Sequence, residues 1–118
     1  MLDPMRATVT EHSQATVVAL SGELDADTAG RLRTLLAEQL LAGPSPLVLD
    51  LTELTFIDSA GLAALISGSK GARRAGVELI LAGPAAAVRK VMKLTGIDVI
   101  LTTVDDVEQA LARLEPPV

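Results

Sequence analysis

A chain of 118 residues with 49% hydrophobic side chains has room for one domain with a proper core. Phe56 is its only aromatic residue, so the core is aliphatic and no stacking platform for single-stranded nucleic acid exists. A net charge of −5 argues against a phosphate-backbone partner, and the absence of cysteine excludes disulfides and thiolate chemistry.

The opening MLDPMRATV lacks the long apolar segment of a secretory signal. No apolar run approaches the roughly 18 residues needed to span a bilayer. A cytoplasmic location without membrane insertion is therefore the expectation. Residues 1–6 read as a loose start with Pro4 limiting regular structure, so one domain over 1–118 with an ordered core of about 7–114 is expected.

Ala7–Thr10 and Ala15–Leu20 are rich in Val and Thr, and they predict a hairpin around Glu11-His12-Ser13-Gln14. Two antiparallel strands at the start argue against a purely parallel doubly wound sheet. Ser21–Asp25 leaves the second strand, and Asp25 or Asp27 can cap a helix running from about Ala26 to Ala42. Ala29, Leu32, Leu36 and Leu40 form its apolar stripe. Gly43 suits the position after its end, and Pro44 prevents continuation.

Leu47–Leu51 reads as a buried strand, followed by a polar link, by Phe56-Ile57 and by the turn Asp58-Ser59-Ala60-Gly61. A helix over Ser59–Ala75 comes next. Its glycines at 61, 68 and 71 each weaken it by about 1 kcal/mol relative to alanine. Such a helix needs tertiary packing, or gains by letting another backbone come close. Val77–Leu81, apolar apart from Glu78, reads as a second interior strand. Gly83-Pro84 predicts a third helix with Pro84 at its first position, Val88, Val91, Met92 and Thr95 on its buried face, and Gly96 closing it. Ile97–Leu101 is read as the last strand. Thr103 with Asp106 resembles a capping box, opening a final helix to about Leu114. The order β-β-α-β-α-β-α-β-α predicts an α/β fold, a mixed sheet of about four to five strands with about four helices packed against it.

Strand, turn and helix place the hydroxyl of Ser59 at a helix start, where unpaired N–H groups and a partial positive charge accommodate a phosphate. Ser59 and Asp58 also both read as simple helix caps. Other chemistries lack their residues. A nucleophile elbow needs glycine where Ile57 stands, and the only histidine, His12, lies in the predicted hairpin turn. Gly68-Ser69-Lys70-Gly71 lacks the order of a phosphate loop and falls mid-helix. No metal or other cofactor is expected from one histidine and no cysteine. Asp50 could mimic the phosphoacceptor of a receiver domain, but neither Leu20-Ser21-Gly22 nor Leu101-Thr102-Thr103 supplies the acidic pair or the lysine required. Lys70, Arg73 and Arg74 read as a solvated face. No constellation supports an enzyme.

IDSAGL at Ile57–Leu62, with SGELD at Ser21–Asp25, resembles the anti-sigma factor antagonist family, whose fold is the STAS domain. The resemblance covers nearly the whole chain. The GELD segment, the D-S-x-G-L turn and a downstream glycine-terminated helix at these spacings make it fairly specific. In that family the serine after the aspartate is phosphorylated by an anti-sigma factor that is also a serine kinase. The match falls on Ser59, while Ala60 stands where members often carry a second serine. The resemblance implies a partner surface of Glu23, Asp25, Asp58, Ser59, Ala60, Gly61 and Leu62. It implies a protein, monomeric when free, that binds the anti-sigma factor to release a sigma factor. Phosphorylation ends the contact, and a phosphatase resets it. The alternative is a constitutive STAS interaction module, in a transporter or signalling assembly, with Ser59 only a helix cap.

Overall fold

The computed structural model describes residues 4–115. The chain runs β1 (Arg6–Glu11), β2 (Thr16–Leu24), α1 (Ala29–Ala42), β3 (Leu47–Ile57), α2 (Ser59–Arg74) and β4 (Leu79–Ala82). It ends with α3 (Ala86–Thr95), the single turn α4 (Ile97–Ile100), β5 (Thr103–Val104) and α5 (Val107–Arg113). The strands form one sheet in sequence order, with β1 antiparallel to β2 and every other pair parallel. The predicted mixed α/β architecture is present. Among the described residues no helix is long and apolar enough to cross a membrane.

Side chains alternate across a strand, and β3 shows the consequence. Leu47, Leu49 and Leu51 face the main core with α1, α2 and α3, whereas Val48 joins Val17, Ile80, Ala82 and Ala110 on the other face, under α5. Both faces are covered there, so Leu47–Leu49 is continuously apolar, and Asp50, only half-buried, accepts from Thr52 N and Thr52 Oγ1. Each fully buried leucine contributes about 1.5–3 kcal/mol relative to exposure. The first two helices interlock through missing side chains. A Cβ on Gly68 would stand 2.6 Å from Leu36 Cδ1, and one on Gly71 would stand 3.4 Å from Leu40 Cδ1. The glycines that weaken α2 locally are the notches into which α1 packs.

Several boundaries depart from the sequence reading. The polar link after Leu51 is strand: β3 continues to Ile57 because β2 also continues, pairing Ser21–Leu24 with Glu53–Ile57. Thr52, Glu53, Thr55 and Phe56 are exposed there, which hid the strand from an apolar pattern. Pro4 bridges to Glu23 and Met5 is buried, so the loose start does not extend to residues 4–6. Residues 1–3 and 116–118 lie outside the described set.

Helix α1 starts at Ala29 instead of Ala26, because Asp25 turns the chain first. Strand β4 is Leu79–Ala82 rather than Val77–Leu81, since Val77 N still donates to Ala72 O in the turn that ends α2. Pro84 precedes α3, which begins at Ala86. The expected strand at Ile97–Leu101 is a helical turn. Gly96 is left-handed at φ 76°, Leu101 N donates to Ile97 O, and only Ile97 and Leu101 are buried, four residues apart. The last strand is Thr103–Val104, and Thr103 is no cap. Asp106 caps α5 by accepting from Gln109 N at 2.8 Å, while Gln109 Oε1 accepts from Asp105 N.

Candidate functional site

The site is the junction of β3 with α2. Asp58 has an extended backbone, and its N–H donates to Leu24 O at 3.2 Å at the end of β2. Its Oδ1 accepts from Gly61 N at 2.9 Å, which makes Asp58 the N-cap of α2. Of the two candidate caps, Asp58 and Ser59, it is Asp58 that makes the cap bond. Ser59 is the first helical residue and is exposed, Ala60 is half-buried, and Gly61 and Leu62 are buried. Leu62 packs in the main core, so neither Gly61 nor Leu62 presents a side chain to solvent.

Gly61 is fixed by a close approach rather than by a turn. A Cβ there would lie 2.6 Å from Leu24 O, 2.7 Å from Ile57 Cγ1 and 2.9 Å from Leu24 Cγ. Only glycine lets the first turn of α2 sit on the end of β2. The cap takes the third N–H of the helix, and Leu62 N donates to Asp58 O. The N–H groups of Ser59 and Ala60 belong to the first turn, where no intrahelical acceptor exists.

The other wall of the site is the chain from Glu23 to Thr28. Asp25 Oδ1 accepts from Asp27 N at 3.0 Å and Thr28 N at 3.2 Å, closing a tight turn. Thr28 is buried; its hydroxyl donates to Glu23 O at 2.9 Å and accepts from Asp25 N at 3.0 Å. Thr28 rather than Asp25 or Asp27 occupies the cap position of α1, and its side chain makes no cap bond there. The ladder pairs Glu23 with Phe56 and Leu24 with Ile57, which brings the Glu23–Asp25 segment beside Asp58 and Ser59. Gly22, at φ 82°, marks a register shift in β2, and its carbonyl accepts from Thr55 Oγ1 at 3.0 Å. Among the described residues no group of three or more His, Cys, Asp or Glu side chains could hold a metal ion.

The family resemblance implied that Glu23 and Asp25 lie near residues 58–62, and the ladder brings these two segments together. Sequence reasoning missed Thr28, which ties the Glu23–Asp25 turn together; a threonine three residues after an aspartate was the available signal. It also missed Phe56, which stands 44% exposed at the rim.

Known proteins share this fold. The family described as the STAS domain matches residues 6–110, from β1 into α5. The chain is 29% identical over 96 residues to the anti-sigma-F factor antagonist RsfB of Mycobacterium tuberculosis, covering 81% of this chain and 78% of that protein. It is 30% identical over 84 residues to an anti-sigma-B factor antagonist of Listeria monocytogenes, covering 71% of this chain and 74% of that protein. The crystal structure of an anti-sigma factor antagonist from Mycobacterium paratuberculosis has the same fold, with a TM-score of 0.81 and 25% identity over 93% of each chain. This chain belongs to the STAS domain family, among the anti-sigma factor antagonists.

Proposed function

We propose that this chain is a switchable anti-sigma factor antagonist. Unphosphorylated, it binds an anti-sigma factor through the surface around Ser59 and so frees the sigma factor held by that partner. The serine kinase activity of the partner then moves a phosphoryl group from a nucleoside triphosphate to Ser59 Oγ, and the contact is lost. A phosphatase restores the hydroxyl. The chain acts as a regulator in the cytoplasm, monomeric when free, and not as a catalyst in its own right.

One observation carries this reading: the Ser59 hydroxyl is exposed on the first turn of α2 while Asp58 supplies the cap. The hydroxyl can therefore be modified without removing the bond that starts the helix. A phosphate brings about −1.5 to −2 charges, and the helix N-terminus favours it. The first-turn N–H groups of Ser59 and Ala60 are the donors within reach of it. The free protein keeps its fold. A partner surface fitted to a hydroxyl, by contrast, must accommodate a larger, strongly hydrated dianion, and affinity falls.

Phosphopeptide mass spectrometry on the protein from its own cells, with pull-downs by Ser59→Ala and Ser59→Asp, tests the reading. The serine peptide gains phosphate in a condition-dependent way, Ser59→Ala holds the anti-sigma factor without accepting phosphate, and Ser59→Asp binds at least tenfold more weakly. Both variants unfold within about 0.5 kcal/mol of wild type, because neither removes the cap. Equal binding by both variants and an unmodified peptide would put the constitutive module in place of the switch.

A further inference from the structure

We infer that Phe56 is the apolar anchor of this contact, and that the anti-sigma factor receives it in an apolar pocket edged by lysine or arginine. The inference rests on the function proposed above and names the chemistry of the partner at that same surface. Phe56 is the sole aromatic of the chain and is 44% exposed. Its neighbours Leu54 and Ile57 are in the core, so the strand had buried positions to offer, yet the irregular pairing of β2 with β3 leaves the ring at the rim. Large rigid side chains of this kind dominate binding energy when a partner desolvates them. The other exposed large hydrophobics are Val9 on β1, and Leu41, Leu94, Val99 and Ile100, which are more exposed than Phe56 but lie in the last turns of α1 and α3 and in α4, at the opposite end of the strands.

Charge identifies what surrounds the pocket. Segments 21–30 and 51–69 carry Glu23, Asp25, Asp27, Glu53 and Asp58 and no lysine or arginine. Glu23 is the ladder partner of Phe56 itself. The cations bordering this end are Arg6, which lines a hollow with Glu53 and Thr55, Arg31, which donates to Met5 O at 3.1 Å, and Arg89 on the first turn of α3, paired with Asp105 at 3.7 Å. An apolar ring inside an acidic collar is complementary to an apolar pocket with a basic border, which also steers encounter. A phosphate on Ser59, three residues along, is then not repelled at long range. It blocks seating of the ring by its bulk and its hydration shell, so the switch acts on dissociation.

The probe is the anti-sigma factor that wild type retains in the pull-down above, immobilised for surface plasmon resonance. Phe56→Ala is expected to weaken binding at least thirtyfold, mainly through faster dissociation, with an unchanged far-ultraviolet circular dichroism spectrum. Phe56→Leu, which keeps an apolar group on the strand, recovers part of that loss and serves if the alanine variant does not fold. Glu23→Gln slows association severalfold at low salt and much less at high salt, whereas Ser59→Asp keeps its salt-dependent association and dissociates faster. Binding by Phe56→Ala or Phe56→Leu within twofold of wild type, while Ser59→Asp still lets go, overturns the anchor and leaves the switch standing. If wild type retains no anti-sigma factor at all, the proposed function fails and this inference fails with it.

Discussion

Helices α1 and α2 begin at the same end of the sheet, each after an aspartate at the end of a strand, and they begin differently. Before α1, Asp25 spends its carboxylate on the turn Asp25–Thr28, and Thr28 is buried with its hydroxyl committed to Glu23 O. Nothing is left over for chemistry. Before α2, the Asp58 carboxylate makes a single bond, to Gly61 N, and the next residue is an exposed serine. The glycines repeat the contrast. Gly30, near the start of α1, would meet nothing within 4 Å if it carried a Cβ, while Gly61 is pressed against the backbone of Leu24. One helix start is a closed structural corner with slack on its outer face. The other is tight underneath and open on top, which is what a modifiable residue on a rigid base requires.

Substitutions at these positions break or sharpen the contrast. The largest effect is expected at Gly61→Ala, where the new methyl must displace a backbone carbonyl. It should cost roughly 3 kcal/mol, read as a lower urea midpoint. A cost below 1 kcal/mol would mean that α2 lifts off β2 easily and that Ser59 does not sit on a rigid base. Asp58→Ala removes the cap and should cost about 1 kcal/mol by the same measurement. Amide exchange should rise at Gly61 and not at Thr28; equal rises would show that the two starts are one cooperative unit. The smallest effect has the opposite sign. Gly30→Ala should stabilise by about 0.5–1 kcal/mol, because it restricts the unfolded chain and meets open space in the folded one. A loss of stability there would remove the distinction between the two glycines.

Much of this was readable before the fold. The apolar runs at Leu47–Leu51 and Val77–Leu81 announced interior strands, and the stripe Ala29, Leu32, Leu36 announced the buried side of α1. The motif Asp58–Leu62 and the segment Ser21–Asp25 pointed to one site. What failed did so where polarity and secondary structure part company. Residues 52–56 look like a link because β3 is covered on one face only at that end. Ile97–Leu101 looks like a strand because five mostly aliphatic residues satisfy either period, and the left-handed Gly96 decided for a helical turn.

The sequence by itself determined the class of fold, the position of the serine at a helix start and the acidic character of its surroundings, since periodicity, breakers and charge are local properties. Tertiary structure alone decided that Asp58 rather than Ser59 is the cap, that Gly61 must be glycine, and that Phe56 faces out. Each depends on where the end of β2 lies against the start of α2. That contact joins residues more than thirty positions apart, and no local pattern encodes the distance between them.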